Sequence, residues 1–218
     1  MPDFALEKEL GAATGGAGPI ILGVDEAGRG PWAGPVVAAA VWLDPARCPE
    51  KLLTRLDDSK VLSAALRARL YAELRDCAEN GGAALGIGQA GVAEIDEHNI
   101  LQATLLAMGR AVAALEQRAG IRAQAALIDG NQTPALSCPA RAVVKGDSRS
   151  LSIAAASVMA KVTRDRLMED LAEAHPGYGW ERNRGYGTAE HRRALSDLGV
   201  TAQHRRSFRP VRELLTIS

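Results

Sequence analysis

No stretch of this chain is long and apolar enough to cross a bilayer as a helix. The longest apolar run, residues 35–43, falls well short of the roughly 20 residues a spanning helix needs. Residues 1–19 hold acids and glycines but no basic start followed by an apolar segment, so no export signal is expected and the cytoplasm is the expected compartment. Cysteine is scarce: Cys48, Cys77 and Cys138 are odd in number and scattered, which argues against a disulfide framework and for reduced thiols that fill space. Neither these nor the four histidines (His98, His175, His191 and His204) stand at zinc-ligand spacing, so zinc is not expected. Internal repeats and clear linkers are also missing. Net charge is absent too, with 26 basic residues against 26 acidic.

The 218 residues are 47% hydrophobic and 24% charged, an ordinary composition for a soluble globular protein with one sizeable core. The charge is unevenly placed. Residues 1–140 carry 12 Lys and Arg against 17 Asp and Glu, whereas residues 141–218 carry 14 against 9. An acidic body beside a basic final third suits an acidic centre next to a phosphate-binding surface, although such a split also occurs in proteins that bind nothing charged.

Read in order, residues 1–19 end in a Gly-rich segment and are expected to be a flexible lead-in. Apolar runs predict strands over residues 20–25 and 34–43, an antiparallel pair joined by a short Gly-Arg-Gly turn. Residues 44–62 read as a loop. Ser63 is a suitable N-cap for a helix over 64–79, which Asn80-Gly81-Gly82 ends. A third strand is predicted over 83–90, a polar turn over 92–97 and a long helix over 99–118. Strands over 125–129 and 140–145 follow, then an Ala- and Ser-rich helix over 150–173 whose small side chains permit close packing on a sheet. Short helices near 188–198 and 208–216 close a helical C-terminal part that begins near residue 175. The pattern is one α/β domain over residues 20–218.

Three strands end at acids: Asp25 with Glu26, Asp129, and Asp147. Ionised carboxylates are costly to bury without a partner, and ligand sites in helix-flanked sheets gather beyond the carboxyl ends of strands. Four carboxylates converging there would repel one another unless cations sat between them. Hard oxygen ligands of this kind suit Mg²⁺ or Mn²⁺. Two such ions can activate a water and stabilise the leaving oxygen of a phosphodiester. Other motifs fail on context. Residues 86–91 match G-x-G-x-x-G, but no acid for a ribose lies about 20 residues on, and residues 23–30 have P-loop glycines without the Lys-Ser/Thr. Ser148 and Ser152 lack a His and Asp at recognisable spacing.

Eight ordered motifs carry a resemblance. Gly23-Val-Asp-Glu-Ala-Gly-Arg-Gly-Pro31, Asp57-Asp-Ser-Lys60, Leu127-Ile-Asp-Gly-Asn131, Val144-Lys-Gly-Asp-Ser148, Ile153-Ala-Ala-Ala-Ser157, Ala160-Lys-Val-Thr-Arg-Asp165, Gly185-Tyr-Gly-Thr188 and His204-Arg-Arg-Ser-Phe208 resemble bacterial ribonuclease HII over roughly residues 20–215. The resemblance implies a ribonuclease H-like fold: an α/β protein with a five-stranded mixed sheet flanked by helices and a C-terminal helical extension. It implies a four-carboxylate site at Asp25, Glu26, Asp129 and Asp147, working with two Mg²⁺ or Mn²⁺ ions. The implied activity is endonucleolytic cleavage of the RNA strand of RNA/DNA hybrids and nicking 5′ of single ribonucleotides in duplex DNA, leaving 5′-phosphate and 3′-hydroxyl ends. Gly28, Arg29 and Gly30 are implied to meet the 2′-hydroxyl and its phosphate, and Tyr186 to pack on the following deoxyribose. Lys60, Lys161, Lys145 and Arg184 are candidate phosphate contacts or supports.

Departures from the family pattern are small: Trp32 and Trp42 stand where smaller aliphatics are expected, and Val61 interrupts the usual basic pair after Ser59-Lys60. No sliding-clamp peptide is evident at the C-terminus, no membrane or protein partner is indicated, and a monomer is the expectation. Two alternatives stay open: a DNA nuclease or resolvase of the same fold, separated by comparing all-DNA with ribonucleotide-containing duplexes, and a module that binds hybrid without cutting it.

Overall fold

Five segments of branched and small apolar residues pair into one mixed sheet. They are β1 (Ile21–Ala27), β2 (Val36–Leu43), β3 (Ala83–Ala90), β4 (Ala125–Asp129) and β5 (Ala140–Val143), in the order β3-β2-β1-β4-β5. β2 runs antiparallel to both β1 and β3, while β4 is parallel to β1 and β5 parallel to β4. This computed structural model describes residues 1–14 and 18–216; residues 15–17 of the expected lead-in and the two C-terminal residues lie outside the described set.

Strand alternation decides which side chains meet which helix. On β1, Leu22 and Val24 join Ala107, Ala111 and Leu115 of α4 (Val92–Ala119) in one buried cluster. Ile21, Gly23 and Asp25 face the opposite side, covered by α5 (Leu151–Ala174), with α3 (Ala64–Glu79) further along the same face. Close approach explains the composition of these surfaces. A Cβ at Gly23 would collide with the backbone of Ser152 and Ile153 in α5. On the other face, a Cβ at Gly86 or Gly88 would collide with the carbonyls of Ala111 and Ala107. The first two glycines of the false dinucleotide motif therefore serve helix-on-sheet packing, and the third, Gly91, is the N-cap of α4.

Several expectations hold to the residue, including α3 with the Ser63 hydroxyl accepting from the Leu66 amide, β3 and β4. Others need correction. The expected flexible lead-in contains α1 (Ala5–Thr14). Good helix formers run from Ala5 to Leu10, the Asp3 carboxylate accepts from the Ala5 amide at 2.8 Å, and the buried Glu7 accepts from the Ser150 hydroxyl at 2.6 Å and the Ser152 amide at 3.0 Å. The Gly-rich tail outweighed that signal in the sequence. The polar turn expected over 92–97 is instead the first part of α4, started by Glu94 accepting from the Gly91 amide at 2.9 Å; the helix then kinks at Asn99, whose φ is 68°. The expected loop 44–62 contains the short α2 (Glu50–Leu53). Beyond α5, α6 (Trp180–Asn183), α7 (Ala189–Leu198) and α8 (Arg209–Leu215) pack around a separate small core of Met168, Tyr178, Trp180 and Leu195. Among the described residues no helix is long and apolar enough to cross a membrane.

Candidate active site

Sheet register brings the first two acids level. Val24 of β1 pairs with Ile128 of the parallel β4, so the next residues, Asp25 and Asp129, stand side by side at the carboxyl ends of two adjacent strands. Asp147 arrives from the neighbouring connection, a single 3₁₀ turn (Gly146–Ser148) between β5 and α5. The turn is shaped by Lys145, held at φ 54°, and by the Gly146 amide, which donates to the Asp129 carboxylate at 2.7 Å. Three carboxylates thereby present oxygens within 4.8 Å of one another: Asp25, Asp129 and Asp147.

Adjacent strand residues point to opposite faces, and this separates Glu26 from Asp25. Glu26 lies outside the three-carboxylate group and pairs with the Arg29 guanidinium at 3.3 Å. The Asp25 carboxylate accepts from the Glu26 amide at 2.7 Å. Burial, then the charges of Glu26, Asp129 and Asp147, push the Asp25 carboxyl well above the usual range. Burial and Asp129 raise Asp147, and burial raises Glu26 in spite of Arg29. Such mutual repulsion is what a bound cation would relieve, and these three carboxylates could hold one. Lys60 supplies only a rim charge, its ammonium 3.7 Å from Asp147 and 3.9 Å from Asp58. The donor set is all hard oxygen, which fits Mg²⁺ or Mn²⁺ and not a soft or imidazole-seeking metal.

A cleft of about 410 Å³ joins these acids to the other residues singled out in the sequence. Asp25, Glu26 and Asp129 line it together with Gly28, Arg29, Gly30, Lys60, Lys161 and Tyr186, and Asp147 completes the acidic group beside it. A Cβ at Gly30 would sit 3.5 Å from the Tyr186 ring, so a bare backbone faces an aromatic side chain that is 47% exposed. Lys161 is half-buried and paired with Asp165 at 2.8 Å. Arg184 does not reach into the cleft as a free cation: it pairs with Glu169 at 2.7 Å, and its backbone sits at φ 52°.

Two buried arginines were not legible as site residues. Arg205, fully buried, donates to the carbonyls of Gly28 (2.6 Å), Arg29 (3.0 Å) and Gly34 (2.9 Å). Arg164 donates to Ala33 (3.2 Å), Pro35 (3.1 Å) and Arg184 (3.0 Å), tying the Gly28–Pro35 loop to the Tyr186 turn. Burial lowers the guanidinium pKa to about 10 for Arg164 and about 9 for Arg205. Gly28, at φ 98°, has no room for a side chain because a Cβ there would collide with Arg164. Trp32 packs against Gly187, with the Arg192 guanidinium 5.4 Å above its ring.

The family model for ribonuclease HII matches residues 22–211. Ribonuclease HII of Rhodospirillum rubrum is 59% identical over 218 residues, covering all of this chain and 94% of its own length. That of Paramagnetospirillum magneticum is 60% identical over 215 residues, 99% of each chain. Among solved structures, ribonuclease H2 from Pyrococcus horikoshii aligns with a TM-score of 0.73 at 25% identity, over 90% of this chain and 97% of that one. A Bst-RNase HIII structure in complex with Mn²⁺ aligns with a TM-score of 0.73 at 19% identity, over 91% of this chain and 70% of that one, a likeness of fold alone.

Proposed function

The chain belongs to the ribonuclease HII family and is a metal-dependent endoribonuclease of the ribonuclease H type, and we propose that it cuts the RNA strand of RNA/DNA hybrids and also nicks 5′ of single ribonucleotides in duplex DNA. What supports the finer part of this reading is one juxtaposition. Asp25 and Asp129 line one cleft with the Gly28-Arg29-Gly30 loop and Tyr186, and Asp147 completes the three-carboxylate group at its side.

In this reading Asp25, Asp129 and Asp147 would hold the metal, with Glu26 as a further ligand or water-orienting group. Two Mg²⁺ or Mn²⁺ ions bound there would supply an activated water and charge stabilisation at the leaving 3′-oxygen. The chain's own residues place the substrate. A 2′-hydroxyl is what separates ribose from deoxyribose, and the bare backbone at Gly30, beside a Gly28 packed on Arg164, lets that group come close. Arg29, half-exposed and only loosely held by Glu26, is available to the adjacent phosphate. Tyr186 offers a flat apolar face to the sugar that follows, and Lys60 and Lys161 offer positive charge to the backbone on either side. The products would be a 5′-phosphate and a 3′-hydroxyl.

A labelled DNA duplex with one ribonucleotide, incubated with Mg²⁺ or with chelator, tests this. A Mg²⁺-dependent nick on the 5′ side of the ribonucleotide is expected. Cleavage of long hybrid but not of this duplex would remove the junction role from Tyr186. Cleavage of an all-DNA duplex at a similar rate would overturn ribose recognition altogether.

A further inference from the structure

Behind Tyr186 lies a polar chain in an otherwise apolar core. His191 and His204 are fully buried, and their Nε2 atoms stand 3.1 Å apart. The proton positions follow from their other partners. The Thr201 amide can only donate, and it points at His204 Nδ1 at 3.0 Å, so that nitrogen is an acceptor. Neutral His204 must then carry its proton on Nε2 and donate it to His191 Nε2. The indole N–H of Trp180, 3.1 Å from His191 Nε2, requires the same nitrogen to be an acceptor. His191 is therefore protonated on Nδ1, and Nδ1 lies 3.0 Å from the Tyr186 carbonyl, which can only accept. The Thr188 amide donates to the same carbonyl at 2.8 Å. One directional series results: the Thr201 amide to His204, His204 to His191, and His191 to the Tyr186 carbonyl.

The series ends on the residue that faces the Gly28–Gly30 loop. The turn around Tyr186 is also held by the Trp32 amide, which donates to the Gly185 carbonyl at 2.8 Å, by Arg164 on the Arg184 carbonyl at 3.0 Å, and by the Asn183 carbonyl, which accepts from the Tyr186 amide at 2.8 Å. The His191 bond is the one that ends on the carbonyl of Tyr186 from the buried core. Tyr186 itself is the exposed end of a buried assembly. We infer that His191 and His204 are positioning residues that fix the height of Tyr186 above Gly30, and so set the preference for a ribonucleotide followed by DNA over continuous RNA/DNA hybrid. This rests on the proposed role of Tyr186 at the junction. Neither imidazole lines the cleft, so neither acts on the reacting atoms.

The test compares kcat/KM on a duplex with one ribonucleotide and on a long hybrid. His191→Leu should lose about 5- to 30-fold on the first substrate, the range expected for one buried hydrogen bond, and less than about threefold on the second. His191→Asn keeps a donor near the Nδ1 position and should recover most of the loss. In a Tyr186→Ala background, His191→Leu should add nothing, since both changes then act through one absent ring. Equal losses on both substrates, or additive losses in the double variant, would overturn the inference and leave only a packing role. Imidazole ¹⁵N shifts of the unaltered protein give a check that needs no variant: His204 should be the Nε2–H form and His191 the Nδ1–H form at neutral pH. The opposite tautomers, or an imidazolium at either ring, would also overturn it. If the wild type cut the single-ribonucleotide duplex and Tyr186→Ala cut it equally well, the junction reading would fail on its own evidence, before any histidine was altered.

Discussion

Replacing Asp25 by Asn should stabilise the metal-free protein while abolishing most of its activity. Asp25 is 4% exposed and shares a patch less than 5 Å across with the carboxylates of Asp129 and Asp147. No cation lies within that patch among the described residues; Lys60 stands at its edge, 76% exposed. Without metal the folded chain must therefore hold repelling groups that water would separate on unfolding. An amide removes the charge but keeps an oxygen to accept from the Glu26 amide, so the local strand geometry survives. Relieving a functional site of this kind is worth about 1–2 kcal/mol. For a chain of this size that is about 2–8 °C in melting temperature. With Mg²⁺ the order should invert. The wild type gains by mass action, about 2.7 kcal/mol when the free ion is 100-fold above its dissociation constant, and the variant, missing a ligand, gains much less. Turnover should fall by at least about 100-fold, roughly 3 kcal/mol of barrier. Calorimetric melts in chelator and in Mg²⁺, beside a cleavage assay, give all three numbers. A variant that melts below the wild type in chelator would refute the repulsion argument, and equal gains from Mg²⁺ would remove Asp25 from the metal site.

Two further outcomes follow from the buried groups around the cleft. Gly28→Ala would place a methyl against Arg164 at a φ of 98°, so about 2–4 kcal/mol of stability should go, together with most nicking activity; a melt within 1 °C of wild type would contradict the tight fit. His204 has a pKa lowered to about 4 by burial and by His191, so as pH falls below about 6.5 the unfolded chain takes up a proton that the folded chain refuses. The acids Asp25, Glu26 and Asp147, all raised, work in the opposite direction, with falling pH favouring the folded metal-free form. Subtracting one protein from another cancels them: the stability advantage of wild type over His204→Gln should shrink by up to about 3 kcal/mol between pH 7 and pH 4. An advantage that stays constant across that range would mean His204 is not held neutral.

The sheet was readable because its segments are short, apolar and punctuated, and because β1 and β4 run into acids that have no business in a core, although Asp147 sits in a turn past the end of β5 at Val143. α1 was not, since the Gly-rich stretch after it masks six good helix formers whose reward is tertiary: Glu7 is buried against the start of α5, a contact spanning more than 140 residues. The first turns of α4 were misread for a related reason. Their acids looked like a solvated turn, but Glu94 caps the helix and Asp96 accepts from the amides of Arg206 and Ser207. Local composition cannot report a partner that arrives from the far end of the chain.

The same distinction divides the candidate site. Asp25, Asp129 and Asp147 could be proposed from the sequence because a carboxylate after an apolar strand is anomalous wherever it occurs. Arg164, Arg205, His191 and His204 could not, because arginine and histidine in a polar, basic C-terminal third look like surface. Their burial inverts that reading. A buried guanidinium whose hydrogen bonds go to carbonyls is costly to desolvate, and a buried pair of imidazoles held neutral is costly to protonate. Both costs fall around the loop and the turn that flank the acids, where Gly28 has no space for a methyl and Tyr186 is held by its carbonyl. Rigid placement is what these groups contribute. A cation brought to the three carboxylates could act on many phosphodiesters, and the proposed selectivity for ribose would need backbone groups held so that they are left unpaired when the 2′-hydroxyl is missing. On the proposed function, the acids would supply the chemistry and the buried bases would hold the surface that selects among substrates.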